Sequence, residues 1–153
     1  MEESLTLQIS GIPLFDDLTV EETDTLEQYL IIKTVPKGSI VYKEGSHGSS
    51  VCFVVDGELG IYKTRAGKET EISALSKGES VGEMAIIDGL TRSATVKANT
   101  DTTALILKRA DFDKLINDNP TIGIKILKGL ARLLSINLRK TSDAFTQAML
   151  SVS

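Results

Sequence analysis

Residues 78–96 read Gly78-Glu79-Ser80-Val81-Gly82-Glu83-Met84-Ala85-Ile86-Ile87-Asp88-Gly89-Leu90-Thr91-Arg92-Ser93-Ala94-Thr95-Val96. The stretch sets a Gly-Glu pair, a short apolar turn, a glycine loop and an Arg-Ser pair between two expected strands. Such an element presents backbone N–H groups, a guanidinium, a hydroxyl and a carboxylate to one small anion. That donor set suits a phosphate carried on a sugar. The amides and Arg92 neutralise the phosphate, and Glu83 accepts from a sugar hydroxyl. An arginine fork matches two phosphate oxygens at once, which a lysine cannot do.

Outward from this element, residues 31–108 read as β-rich, with turn signals at short intervals. Apolar runs at 39–42, 51–55, 59–62, 71–75, 94–96 and 103–107 alternate with Gly38, Gly45, Gly48, Gly57, Gly67, Gly78, Gly82 and Gly89. Asp56-Gly57 reads as a two-residue hairpin turn between Val55 and Glu58. Many short strands between glycine turns predict a small barrel or jelly-roll-like sandwich.

Helical patterns flank this zone. In residues 1–30, Thr19 as N-cap with Glu22 three positions later forms a capping box, and Val20, Leu26, Tyr29 and Leu30 supply a buried face. Residues 109–150 return to helix: a short one over 111–117, then a long one opened by Asn119-Pro120. The long helix carries two apolar stripes. One is Ile124, Leu127, Ala131, Leu134, Leu138, Thr141, Phe145 and Ala148; the other is Ile122, Ile126, Leu130 and Leu133, with Ile136 nearby. One stripe covers the helix's own domain. The second needs another partner, and its heptad spacing predicts a homodimer through this helix.

Composition narrows the class. A chain of 153 residues, 41% hydrophobic and 25% charged, is one ordinary globular domain. A net charge of −4 disfavours nucleic acid, whose ligands carry basic surfaces. The acidic N-terminus has no secretory core, and no window approaches a membrane span. These features predict a cytoplasmic protein with no membrane partner. Cys52 is the one cysteine, so no internal disulfide forms, and its apolar run predicts a buried, inert thiol. With one histidine as well, no first shell for a metal exists, and no nucleophile–base set assembles. The chain reads as a binding module and not as an enzyme, without a cofactor.

With these pieces placed, the chain resembles the cyclic nucleotide-binding domain family. The resemblance rests on Gly38, Glu44-Gly45 with Gly48, Gly57, and the motif Gly-Glu-x-x-Gly-Glu-Met-Ala followed by Arg-Ser-Ala-Thr-Val. It implies an α+β fold: an antiparallel β-roll (a double-stranded β-helix) with an N-terminal helical segment and two C-terminal helices, the last one long. It implies that Glu83 binds the ribose 2′-hydroxyl, Arg92 the cyclic phosphate, and Ser93 adds a further donor. Gly82, Met84 and Ala85 lie on the turn whose amides face the phosphate, Val81, Ile72 and Leu75 wall the sugar and base, and Asn137 on the long helix meets the base. Ser93, where cGMP-binding members often carry threonine, leans toward cAMP as the ligand over cGMP. The implied function is a regulatory sensor. Ligand draws the 82–93 loop inward, Ile86, Ile87 and Leu90 repack against the C-terminal helices, and a downstream protein partner reads the change. The alternative is a ligand-free dimerisation or interaction module of the same fold. Family transcription factors continue into a helix-turn-helix; the sequence ends at Ser153, so a stand-alone domain is expected.

Overall fold

The computed structural model describes residues 5–89 and 91–152. Three helical pieces, α1 (Leu5–Ser10), a 3-10 turn (Pro13–Phe15) and α2 (Val20–Glu27), precede eight strands. The strands are β1 (Leu30–Val35), β2 (Ile40–Tyr42), β3 (Ser50–Asp56), β4 (Leu59–Arg65), β5 (Lys68–Leu75), β6 (Ser80–Val81), β7 (Thr95–Ala98) and β8 (Thr102–Lys108). A short α3 (Ala85–Asp88) sits between β6 and β7, and α4 (Arg109–Asp118) and α5 (Pro120–Val152) close the chain.

The strands form two antiparallel four-stranded sheets, ordered β1-β8-β3-β6 and β2-β7-β4-β5. This is the expected β-roll, with open sheet edges and no closed barrel. Alternation along β3 explains why its apolar run is continuous. Val51, Phe53 and Val55 face the helices, where they join Ile9, Phe15, Leu26, Phe112, Leu115, Ile126 and Leu130 in one core. Cys52 and Val54 point the other way, into a second core between the sheets with Leu59, Val96, Ala98 and Ala104. The Phe15 and Phe53 rings meet at 5.0 Å.

Two local expectations are corrected. Asp56-Gly57 is not a hairpin, because β3 pairs with β6 and β8 while β4 pairs with β5 and β7. The dipeptide carries the chain from one sheet to the other. Gly57 sits at φ +93°, and a Cβ there would lie 2.5 Å from the Asp101 carbonyl oxygen, so the corner closes only over a glycine. The tight hairpin is instead β4–β5, through Ala66 and Gly67 at φ 54° and 76°. Val20 is 71% exposed rather than buried. It lies six residues, hence about 120° around the helix, from the fully buried Leu26. The capping box itself forms: Glu22 N–H donates to Thr19 Oγ1 (3.1 Å) and Thr19 N–H to Glu22 Oε1 (2.9 Å).

On α5 the stripe Ile122, Ile126, Leu130 is buried against the domain, with Leu133 and Leu134 half-buried. The other stripe faces outward, with Ile124 53%, Leu138 70% and Phe145 66% exposed. Among the described residues, no helix is long and apolar enough to cross a membrane.

Candidate functional site

The segment from β6 to β7 folds over one end of the roll. Gly82 to Met84 lead into the single turn of α3, and Thr91 to Ser93 return to β7. Leu90 lies outside the described residues. The return limb is pinned to the loop 44–48. Arg92 N–H donates to the Ser46 carbonyl (2.7 Å), Gly45 N–H donates to the Arg92 carbonyl (2.8 Å), and Thr91 bridges His47. Thr95 Oγ1 accepts from Glu44 N–H at 2.9 Å. Gly45 and Ser46 thus clamp the arginine's backbone, and Glu44 holds Thr95 beside it.

A cavity of about 380 Å³ opens beneath this segment, within the range of small-molecule sites. Its lining brings together Val81, Gly82, Glu83, Met84, Ala85, Arg92 and Ser93 of the sequence-derived set. Its floor follows from strand register. Tyr42 stands opposite Val96, and Val96 opposite Ile61, so three side chains from β2, β7 and β4 form one row. All three line the cavity. Nothing in the linear sequence singles out Tyr42 or Ile61; only the pairing of β2 and β4 with β7 does.

Ile72, Leu75 and Asn137 do not line this cavity. The register of β4 with β5 shifts between Ile61, opposite Ser73, and Tyr62, opposite Glu71. Ile72 is thus the extra residue of a β-bulge and is 56% exposed. Leu75, opposite Leu59, packs on the core between the sheets. Asn137 is exposed on α5, beyond the last buried position at Leu130.

Arg92 dominates the electrostatics. It is only 9% exposed, and its guanidinium stacks on the Tyr42 ring at 3.6 Å. Its Nη2 donates to the Ser50 carbonyl at 2.7 Å, and Tyr42 and Ser50 share a hydroxyl–hydroxyl bond of 2.7 Å. Burial pushes the Tyr42 phenol above its ordinary range, so the ring under the cation stays neutral. The other end nitrogen, Nη1, rests against Gly82, where a Cβ would come within 2.2 Å. Arg92 Nε is buried with no hydrogen-bond partner. Arg92 and Glu83 form no ion pair; Glu83 instead accepts from Ser80 Oγ at 2.6 Å. A buried cation without a carboxylate, and with an N–H left over, is costly by itself. An anion seated beside it would supply the one missing acceptor. Among the described residues, no group of three or more His, Cys, Asp or Glu side chains stands close enough to hold a metal ion.

The short α3 ties this site to the helical core. Ile86, 2% exposed, packs in the same cluster as Phe112, Leu115 and Ile122, whereas Ile87 is 48% exposed.

Comparison with known proteins converges on one family. The sequence profile described as "Cyclic nucleotide-binding domain" matches residues 32–119. The chain is 33% identical to the cyclic AMP receptor protein of Thermus thermophilus over 82% of its own length and 59% of that protein. It is 32% identical to a cAMP-dependent protein kinase regulatory subunit of Mycosarcoma maydis, over 59% of this chain and 17% of that one. The chain thus spans well under two thirds of these relatives. A crystal structure of a cyclic nucleotide-binding domain from Methylobacillus flagellatus superposes with a TM-score of 0.81 at 28% identity, covering 94% of this chain and 82% of that one.

Proposed function

Because this chain belongs to the cyclic nucleotide-binding domain family, we propose that it is a cytoplasmic regulatory module sensing a cyclic nucleotide, cAMP in preference to cGMP, in the cavity beneath residues 81–93. The carrying observation is the buried Arg92 guanidinium with its unpartnered Nε in a cavity that also holds Glu83, Asp88 and Ser93. On this reading Arg92 takes the cyclic phosphate, with Ser93 and the Gly82–Ala85 amides as further donors. Glu83 accepts from the ribose 2′-hydroxyl, and Val81, Ile61 and Val96 wall the apolar side. Similarity to a cyclic AMP receptor protein and the serine at position 93 support cAMP.

The signal leaves through α3. Its turn carries the phosphate-facing amides at one end and Ile86 in the helical core, so movement of the loop shifts the packing of α4 and α5. The helices close over the base, bringing Asn137 to it, and present a changed surface to a partner protein. Ligand shifts this balance only by its differential affinity for the two states. The module pairs with a second copy through the outward stripe of α5, which is otherwise left in water.

Titration calorimetry with cAMP, cGMP and a cyclic dinucleotide, on wild type and Arg92→Ala, tests this. We expect one saturable cAMP site, weaker cGMP binding, and a loss of about 3 kcal/mol, or about a hundredfold, in the variant. Equal cAMP affinity in both proteins would remove the assigned site. A flat response of wild type to every nucleotide would leave the ligand-free interaction module as the function.

A further inference from the structure

A second cavity, of about 260 Å³, shares Tyr42 with the first. It opens where the edge strands β1 and β2 of the two sheets part company. Its floor is one cross-strand pair, Ile31 opposite Ile106, with Val41 reaching in from β2. Lys33 follows Ile31 by two residues and Lys108 follows Ile106 by two, so alternation puts both on the floor's face. Lys33 stands opposite Ala104, so the lysines lie on opposite sides of the apolar row, about 13 Å apart along the strand direction. Long, flexible stems let both ammonium groups lean over it.

Lys108 is opposite Ser50 in the β3–β8 register, so its end of the cavity also holds the Tyr42–Ser50 hydroxyl pair. Neither ammonium makes an ion pair among the described residues, and no carboxylate lines the cavity. In a chain of net charge −4, two unpaired cations flanking an apolar floor are a local reversal of sign.

We propose that this cavity is a second binding site, for a small amphipathic monoanion of the short-chain carboxylate class. The carboxylate head sits against Lys108 and the Ser50 and Tyr42 hydroxyls. The alkyl chain lies along Ile31, Ile106 and Val41, and Lys33 leans in from the far end of the row, adding its positive charge at longer range. The volume is below that of drug-sized pockets, which selects a short chain. The site adjoins the first through Tyr42, whose ring carries the Arg92 guanidinium, and through Ser50, whose carbonyl accepts from Arg92 Nη2. Occupancy of the two is therefore coupled, and any change in affinity is reciprocal.

The test is a proton–nitrogen NMR titration of the full chain with hexanoate, 1-hexanol and inorganic phosphate. We expect saturable shifts for hexanoate at residues 31, 33, 42, 50, 106 and 108, and a shift of the Arg92 Nε–H resonance. Binding of hexanol and phosphate should be at least tenfold weaker. Lys33→Gln with Lys108→Gln, checked for an unchanged melting temperature, should weaken hexanoate at least tenfold; either single variant serves if the double one is unstable. Hexanol matching hexanoate, phosphate outcompeting it, unaltered binding in the glutamine variants, or no saturation by tens of millimolar would each overturn the proposal.

Discussion

Cys52 shows how one residue's chemistry follows from strand parity. Its neighbours Val51 and Phe53 face the helices while it faces the core between the sheets, fully buried. Burial pushes its thiol from an ordinary 9.0 to about 12. The folded state therefore favours the neutral form. That contribution to stability is complete below about pH 9 and is lost as pH rises from there toward about 12, because the unfolded chain ionises first. Wild type should lose more stability between pH 8 and pH 10.5 than Cys52→Ala does, measured by urea midpoints at both values. The native thiol should also resist aromatic disulfide reagents at pH 8 until the chain is unfolded. A parallel pH response of the two proteins would show that the thiol is not desolvated. The inert cysteine was legible from its apolar run. Tyr42 was not, because its place under Arg92 depends on β2 finding β7, a pairing made across more than fifty residues.

Among the elements, α5 has two faces with two occupants. Ile122, Ile126 and Leu130 enter the core. Lys125, Gly129 and Arg132 meet the N-terminal segment: Lys125 Nζ bonds Glu22 Oε1 at 2.6 Å, and Arg132 Nη2 bonds Asp17 Oδ2 at 3.0 Å. The Lys125 bond holds the Glu22 carboxyl below its usual range. Between these pairs a Cβ on Gly129 would stand 2.5 Å from the Leu14 carbonyl oxygen. Gly129→Ala should thus destabilise by about 2 kcal/mol, since overpacking against backbone exceeds the gain in helix propensity. The measurement is a melting temperature lowered by about 4–8 °C, and an unchanged or raised value would refute the close approach. In the sequence Gly129 looked like a weak point in a helical pattern, since helical periodicity says nothing of a neighbour's carbonyl. The Asp56-Gly57 turn was misread for a related reason. Local turn chemistry reports a change of direction, but which sheet receives the next strand is settled by long-range pairing. The capping box and the Gly78–Val96 motif were legible because their contacts close within a few residues or arise from one continuous segment.

For the molecule as a whole, two apolar cores account for nearly all the large buried side chains, and eight of the sixteen exposed large apolar side chains among the described residues lie on α5. Leu138, Phe145, Met149 and Leu150 are 59–70% exposed. Such a stripe is costly in water unless another chain covers it. Sedimentation equilibrium should show a dimer at micromolar concentration for wild type. Leu138→Asp with Phe145→Asp should sediment as a folded monomer, because neither side chain contributes to the cores. A wild-type monomer at that concentration would exclude self-association through this helix.

The final helix spans 33 residues, Pro120–Val152; its fully buried positions end at Leu130, and Leu134 is its last side chain packed on the core. The remaining 18 residues to Val152 extend about 27 Å from that point at 1.5 Å per residue. The helix is a cantilever with a short root and a long free arm. A tilt of about 10° at Leu134 carries the tip through about 5 Å at this rise per residue. Displacements too small to notice beside Ile126 become gross motion at Val152, so the far end is where a fluorescent label would register the domain's state with the greatest gain.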